Sequence, residues 1–177
     1  YEEQILPLAA RELTGFDRIL DVGCGDGQIS RLASRLGASR VVGIDPTWNQ
    51  VRVAAERDGG PVFARCGAAE LPFADATFDA VVACLVFEHI RDVDSAISEV
   101  ARVLRPGAPF VCTFSNRCFP TKAIRGWLAT DDGFHVQLVA EYFRRSTGWD
   151  QPRIDQRPTP RPGDPLFAVW AHRSRPS

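Results

Sequence analysis

The chain has 177 residues, 45% of them hydrophobic, with 21 basic and 22 acidic side chains and a formal net charge of −1. That length and apolar content suit one domain burying about 70% of its unfolded surface, and the balanced charge gives no basic field for nucleic-acid backbones or anionic membranes. No apolar run approaches the roughly 18 residues of a membrane span, and the N-terminus is acidic rather than signal-like. The expectation is a single cytoplasmic domain over residues 1–177 with neither nucleic acid nor membrane as partner. Five cysteines without a C-x-x-C pair read as reduced, mostly buried thiols. The chain starts at Tyr1 and contains no Met, so an N-terminal piece is expected to be missing.

Residues 2–13 place Ile5, Leu6, Leu8, Ala9 and Leu13 on one apolar face, a short helix interrupted by Pro7 and closed at Gly15. The organising stretch follows: Ile19-Leu20-Asp21-Val22-Gly23-Cys24-Gly25-Asp26-Gly27-Gln28, then an amphipathic run with Ile29, Leu32, Ala33 and Leu36. This reads as strand, glycine-rich turn and helix, with backbone N–H groups aimed at a ligand over the helix N-terminus. A dinucleotide turn of the form G-x-G-x-x-G would need its third glycine at position 28, which is Gln; the third glycine is Gly27. The run Leu20 to Gly27 instead resembles motif I of the class I S-adenosylmethionine (SAM) dependent methyltransferases, in which the loop wraps the methionine end of SAM.

Arg40 to Asp45 is a second buried strand ending in an acid. A carboxylate there can accept from both vicinal hydroxyls of a ribose; the alternative is an N-cap for a helix starting at Pro46 or Thr47. Pro46 and Trp48 stand where an adenine would pack, though Trp48 reads equally as core or surface. Val62 to Arg65 is a third strand, followed by Cys66-Gly67-Ala68-Ala69-Glu70-Leu71-Pro72-Phe73. That loop looks like the Gly-Asp-Ala-Glu-x-Leu-Pro-Phe of the type 11 methyltransferases, whose Asp holds the adenine amino group. Gly67 stands at the Asp position, leaving the Ala68 backbone and Glu70 to reach the adenine edge.

Phe78 to Leu85 is a fourth strand, running into Val86-Phe87-Glu88-His89-Ile90-Arg91-Asp92. The Phe78-Asp79 start and Glu88-His89 ending are similar to the same family. A helix from about Asp94 to Leu104 stops at Arg105-Pro106-Gly107, and Phe110 to Phe114 is a fifth strand. Helices are expected near residues 122–129 and from Phe134 to Arg145. Terminal strands over Trp149–Gln156 and Pro165–His172 flank a Pro-rich loop at residues 157–164. Strands alternating with helices imply a parallel, doubly wound α/β sheet with ligands at the strand carboxyl ends.

With the resemblance, the expected fold is a Rossmann-like seven-stranded, mostly parallel sheet with helices on both faces, closed by an antiparallel hairpin. The resemblance implies SAM as cofactor and S-adenosylhomocysteine (SAH) as product. The implied cofactor contacts are Asp21, Gly23, Cys24, Gly25 and Gly27, then Asp45 and Pro46, Ala68 and Ala69, and Leu85. Methyl transfer needs alignment more than a fixed catalytic group, but a hydroxyl acceptor benefits from a base. His89 and His135 are the candidates, with Glu88, Asp131 and Asp132 behind them; either histidine can instead be a satisfied structural group.

Asn116, Arg117 and Trp127 would line the acceptor pocket, with Phe119 and Phe134 near. No resident metal is expected: Asp131, Asp132 and His135 are near neighbours on one turn without a wider ligand pattern. The expected acceptor is a small molecule, O-methylation is the favoured reaction, and a homodimer is one way to complete a pocket built on so short an insert. Two other readings stay open: a non-catalytic SAM- or nucleoside-binding module, suggested by Gly67, and an NAD-dependent oxidoreductase, resting on the glycine turn and Asp45.

Overall fold

The computed structural model describes residues 11, 13–57, 59–115, 125–157 and 166–176. Seven strands form one sheet: β1 (Arg18–Val22), β2 (Arg40–Asp45), β3 (Val62–Arg65), β4 (Ala80–Cys84), β5 (Pro109–Ser115), β6 (Arg153–Arg157) and β7 (Leu166–His172). The helices are α1 (Gln28–Arg35), α2 (Trp48–Ala55), α3 (Val93–Val103), α4 (Arg125–Leu128) and α5 (Asp132–Arg145), and one 3-10 turn spans Phe87–His89.

The strand order is β3-β2-β1-β4-β5-β7-β6, with β1 to β5 parallel and β7 antiparallel to both its neighbours. This is the expected seven-stranded, mostly parallel sheet with its closing antiparallel pair. The chain leaves β1 toward one edge, then returns to place β4 on the other side of β1. That reversal opens a crevice at the carboxyl ends of β1 and β4.

Strand periodicity sorts the core into two layers. Leu20, Val22, Ile44, Val81 and Ala83 face a cluster that takes in Ile97 and Val100 of α3 and Val139 and Phe143 of α5. Ile19, Val41, Ala80 and Val82 face the other way, against Ile29 and Ala33 of α1. Inner strands covered on both faces are apolar throughout, as β4 is. Aromatic contacts fasten α5 and the last strands to the sheet: Phe110 meets Phe143 edge-on at 5.6 Å, and Phe114 stacks on Phe167 at 5.7 Å.

Several boundaries differ from the expectation for identifiable reasons. β4 begins at Ala80, because Phe78 forms a lone bridge with Leu104 while Asp79 accepts from the Arg18 backbone N–H at 3.0 Å and from Arg105 Nη1 at 2.5 Å. Trp149 likewise pairs only with Arg173, so β6 starts four residues later. The expected N-terminal helix, apart from Arg11 and Leu13, and most of the Pro-rich loop lie outside the described residues. No helix among the described residues is long and apolar enough to cross a membrane.

Candidate active site

The glycine loop begins where β1 ends. Gly23, Gly25 and Gly27 have φ of 69°, 53° and 82°, left-handed backbone that side chains with a Cβ adopt at a cost. Two of them are also sterically obligatory. A Cβ on Gly23 would lie 2.4 Å from a methyl of Val86, and one on Gly27 2.6 Å from the Phe63 ring. Gly25 has open space above it, so its backbone face is free to meet a ligand.

The loop is fixed from below and behind. Cys24 N–H donates to Ile44 O at 2.9 Å, Arg31 Nη2 donates to Asp26 O at 2.6 Å, and Arg57 pairs with Asp26 at 2.5 Å. Asp21 is only 1% exposed, and its Oδ2 accepts from Ser30 Oγ at 2.6 Å. Burial pushes its carboxyl up to about 6, with the Ser30 hydrogen bond opposing. Asp21 is not among the residues that line the cavity described below. Alternation along β1 turns it toward α1 with Ile19, where it braces the loop.

Asp45 closes β2 with its two oxygens aimed in different directions. Oδ2 accepts the Gly25 N–H at 3.2 Å and Oδ1 the Thr47 N–H at 2.8 Å. The N-cap of α2 is Thr47, so the capping alternative for Asp45 does not hold. Each carboxylate oxygen retains a lone pair beyond the one engaged, which leaves two acceptor sites held in fixed orientation.

The crevice contains a cavity of about 230 Å³ lined by Gly23, Pro46, Cys66 to Ala69, Val86 and His89 to Asp92. That is below the roughly 300–1,000 Å³ of a whole ligand site, so it suits one end of a larger molecule. Pro46, Ala68 and Ala69 line it as expected, but Trp48 is 60% exposed and not among the lining residues. Gly67 has no atom within 4 Å of a would-be Cβ. The stretch after it is locked to α3: Arg102 donates to Leu71 O at 2.9 Å and Phe73 O at 2.7 Å, and Glu99 accepts the Leu71 N–H at 2.8 Å.

Leu85, expected at the cofactor, sits at the β4 terminus with φ of 57°, an uncommon backbone for a leucine that turns the chain out of the sheet. Cys24 is buried within the loop, and burial raises its thiol well above the usual range.

The two candidate bases part company. His89 lines the cavity with its side chain 29% exposed. His135 is 5% exposed, stacked on Trp127 at 4.0 Å, with Nε2 donating to Trp127 O at 2.8 Å. His135 and Trp127 are thus core partners and neither lines the cavity. Asp131 caps α5 by accepting the Phe134 N–H at 2.9 Å. Among the described residues no group of three or more His, Cys, Asp or Glu side chains is placed to hold a metal ion. Asn116, Arg117 and Phe119 lie outside the described residues. Sequence reading missed Ile90 and Arg91 as lining residues; the only signal was their position just after a strand at the switch point.

These residues fit the cofactor that the sequence resemblance implies. Asp45 offers a paired acceptor for ribose hydroxyls, the bare backbone at Gly25 leaves room for a ligand to approach the loop, and Pro46, Ala68 and Val86 supply apolar surface for a planar base.

A family model described as a methyltransferase domain matches residues 20–112. A ubiquinone biosynthesis O-methyltransferase from Rhizobium rhizogenes is 39% identical over 122 residues, covering 67% of this chain and 48% of the relative. A demethylmenaquinone methyltransferase from Thermobifida fusca is 38% identical over 127 residues, covering 68% and 53%. The chain thus spans about half the length of these curated relatives. Among solved structures, an S-adenosylmethionine-dependent methyltransferase from Mesorhizobium loti superposes with a TM-score of 0.70 at 23% identity, covering 97% of each chain. The [4+2]-cyclase SpnF superposes at 0.75 with 21% identity, covering 97% of this chain and 81% of its own.

Proposed function

The chain belongs to the methyltransferase domain family, and on that premise we propose that it moves the methyl group of SAM onto a hydroxyl oxygen of a small-molecule acceptor, with His89 as the base. Asp45 carries the reading: an acid at the end of β2, both oxygens pre-aimed by the Gly25 and Thr47 N–H groups, beside a cavity lined by Pro46 and Ala68. The relatives named as O-methyltransferases support oxygen as the accepting atom. Family membership sets the NAD reading aside, in keeping with Gln28 in place of the third glycine.

When bound, the cofactor supplies a methyl group already activated on a sulfonium. The work left to the chain is placement. Gly23 to Gly27 and Asp45 would hold the cofactor at the carboxyl ends of β1 and β2, on a loop braced by the Cys24 N–H to Ile44 O and Ser30 to Asp21 hydrogen bonds. Holding acceptor oxygen and methyl carbon aligned at about 3–3.5 Å removes up to roughly 7–11 kcal/mol of barrier. His89, on the cavity wall, takes the hydroxyl proton and adds about 10²–10⁴-fold. Asn116 and Arg117, expected from the sequence as acceptor contacts, lie outside the described residues; a second copy of the chain is one way to complete the acceptor pocket.

The test is SAH release from SAM in the presence of a panel of phenols and catechols. Acceptor-dependent SAH supports the assignment. Cofactor binding without any acceptor-dependent SAH would return the chain to the non-catalytic module that Gly67 suggests.

A further inference from the structure

A base seated in the crevice needs an acceptor that position 67 does not supply. Adenine carries one exocyclic amino group with two hydrogens to donate, and an amino group taken out of water without an acceptor is penalised. Two segments bound the cavity beside Pro46: residues 66–69, after β3, and residues 89–92, between β4 and α3. The first offers no carboxylate: Gly67 brings no side chain, and its carbonyl is met by the Cys66 thiol at 3.1 Å. In the second, Arg91 is a donor only. Of the described residues that line the cavity, Asp92 alone carries a carboxylate.

The fold already fixes that side chain. Asp92 is the N-cap of α3, and its Oδ1 accepts the Ser95 N–H at 3.1 Å. Hydrogen bonds from Ser95, the backbone one first, hold the carboxyl below its usual range, so it is ionised at neutral pH. Ser95 is the one residue that donates to it among the described residues. An ionised carboxylate has about four acceptor positions, so capping the helix leaves others open.

We infer that Asp92 reads the base of the cofactor: a carboxylate position not used by the helix cap accepts an N–H of the adenine amino group, the contact that no side chain at position 67 can make. This rests on the crevice being the SAM site. Cap and base contact draw on different lone pairs, so one residue serves helix and ligand together. The second amino hydrogen remains for another acceptor, which leaves room for Gly67→Asp to add affinity.

Calorimetric titration with SAH, and with its analogue in which hydrogen replaces the exocyclic amino group, isolates the contact. The wild type is expected to bind SAH about tenfold more tightly than the analogue, the worth of one hydrogen bond to a charged group. Asp92→Asn keeps a capping oxygen and replaces the other with an amide nitrogen, and Asp92→Ser caps with a shorter side chain. In both variants the preference for SAH should shrink to under about threefold, while analogue affinity and thermal midpoint stay near those of the wild type. An unchanged preference in both, or an equal loss for the two ligands, would overturn the inference. Asp45→Ala separates it from the reading it rests on, since that variant should weaken both ligands alike. Loss in Asp45→Ala with an unchanged preference in the Asp92 variants removes Asp92 alone; a wild type that binds neither ligand removes both.

Discussion

Ser30 Oγ donates to Asp21 Oδ2 at 2.6 Å beneath the glycine loop, with both side chains withdrawn from solvent. Because burial raises the Asp21 carboxyl from 3.8 to about 6, the folded state binds a proton that the unfolded chain has already released between those values. Stability contributed by neutral Asp21 is therefore complete below about pH 4 and lost as pH rises through 6, a change of about 3 kcal/mol. Asp21→Asn does not titrate. Chemical denaturation of both proteins should show the variant gaining on the wild type from pH 4 to 6 and keeping a constant difference above pH 7.

Phe63 sets the height of the glycine loop from below. A Cβ at Gly27 meets its ring at 2.6 Å and one at Gly43 meets it at 2.7 Å, so the ring lies against two bare backbones. Gly27→Ala adds the left-handed strain of φ 82° to that clash and should cost at least about 2 kcal/mol in urea unfolding. Combining it with Phe63→Ala relieves the clash but not the strain. The double mutant should be more stable than the sum of the singles predicts.

Gly67 stands where the type 11 loop carries the Asp that holds the adenine, and the structure leaves room to restore it. Its φ is not in the left-handed region and nothing stands within 4 Å of a new Cβ, so an Asp there meets neither strain nor contact. Gly67→Asp should bind SAH several-fold more tightly with little change in thermal midpoint. Equal or weaker binding would mean the adenine lies elsewhere in the cavity.

The loop after Gly67 depends on α3. Arg102 spans Leu71 O and Phe73 O while pairing with Glu99 and Asp75, and the Arg102 hydrogen bond holds the Glu99 carboxyl below its usual range. Arg102→Ala strands two carbonyls and should cost about 2–3 kcal/mol. SAH affinity should fall with it, since residues 66–69 line the cavity. Arg102→Lys cannot span both carbonyls and should recover little.

Most of the sheet was legible because buried parallel strands are apolar runs bounded by turn residues. β2 and β3 have the ends that the sequence suggests, Arg40–Asp45 and Val62–Arg65. The edges were less so: Phe78 and Trp149 look like strand residues, but each makes only a lone bridge. In the site, the place of Asp45 at the carboxyl end of β2 was legible because the acid closes an apolar run. Asp21 stands near the end of a strand too, and the side it takes in the alternation, toward Ser30, puts it beneath the loop rather than among the cavity-lining residues. His89 and His135 were equivalent as letters. What divides them is long-range packing, a cavity wall for one and the Trp127 face for the other, which no local pattern encodes.

The central claim is that the switch-point crevice binds SAM through Asp45. Calorimetric titration of the wild type and Asp45→Ala with SAM and SAH tests it directly. The account predicts binding to the wild type in the micromolar range, about −8 kcal/mol, and loss of at least tenfold in affinity in the variant. An unchanged affinity in Asp45→Ala, or no binding to the wild type, would contradict it.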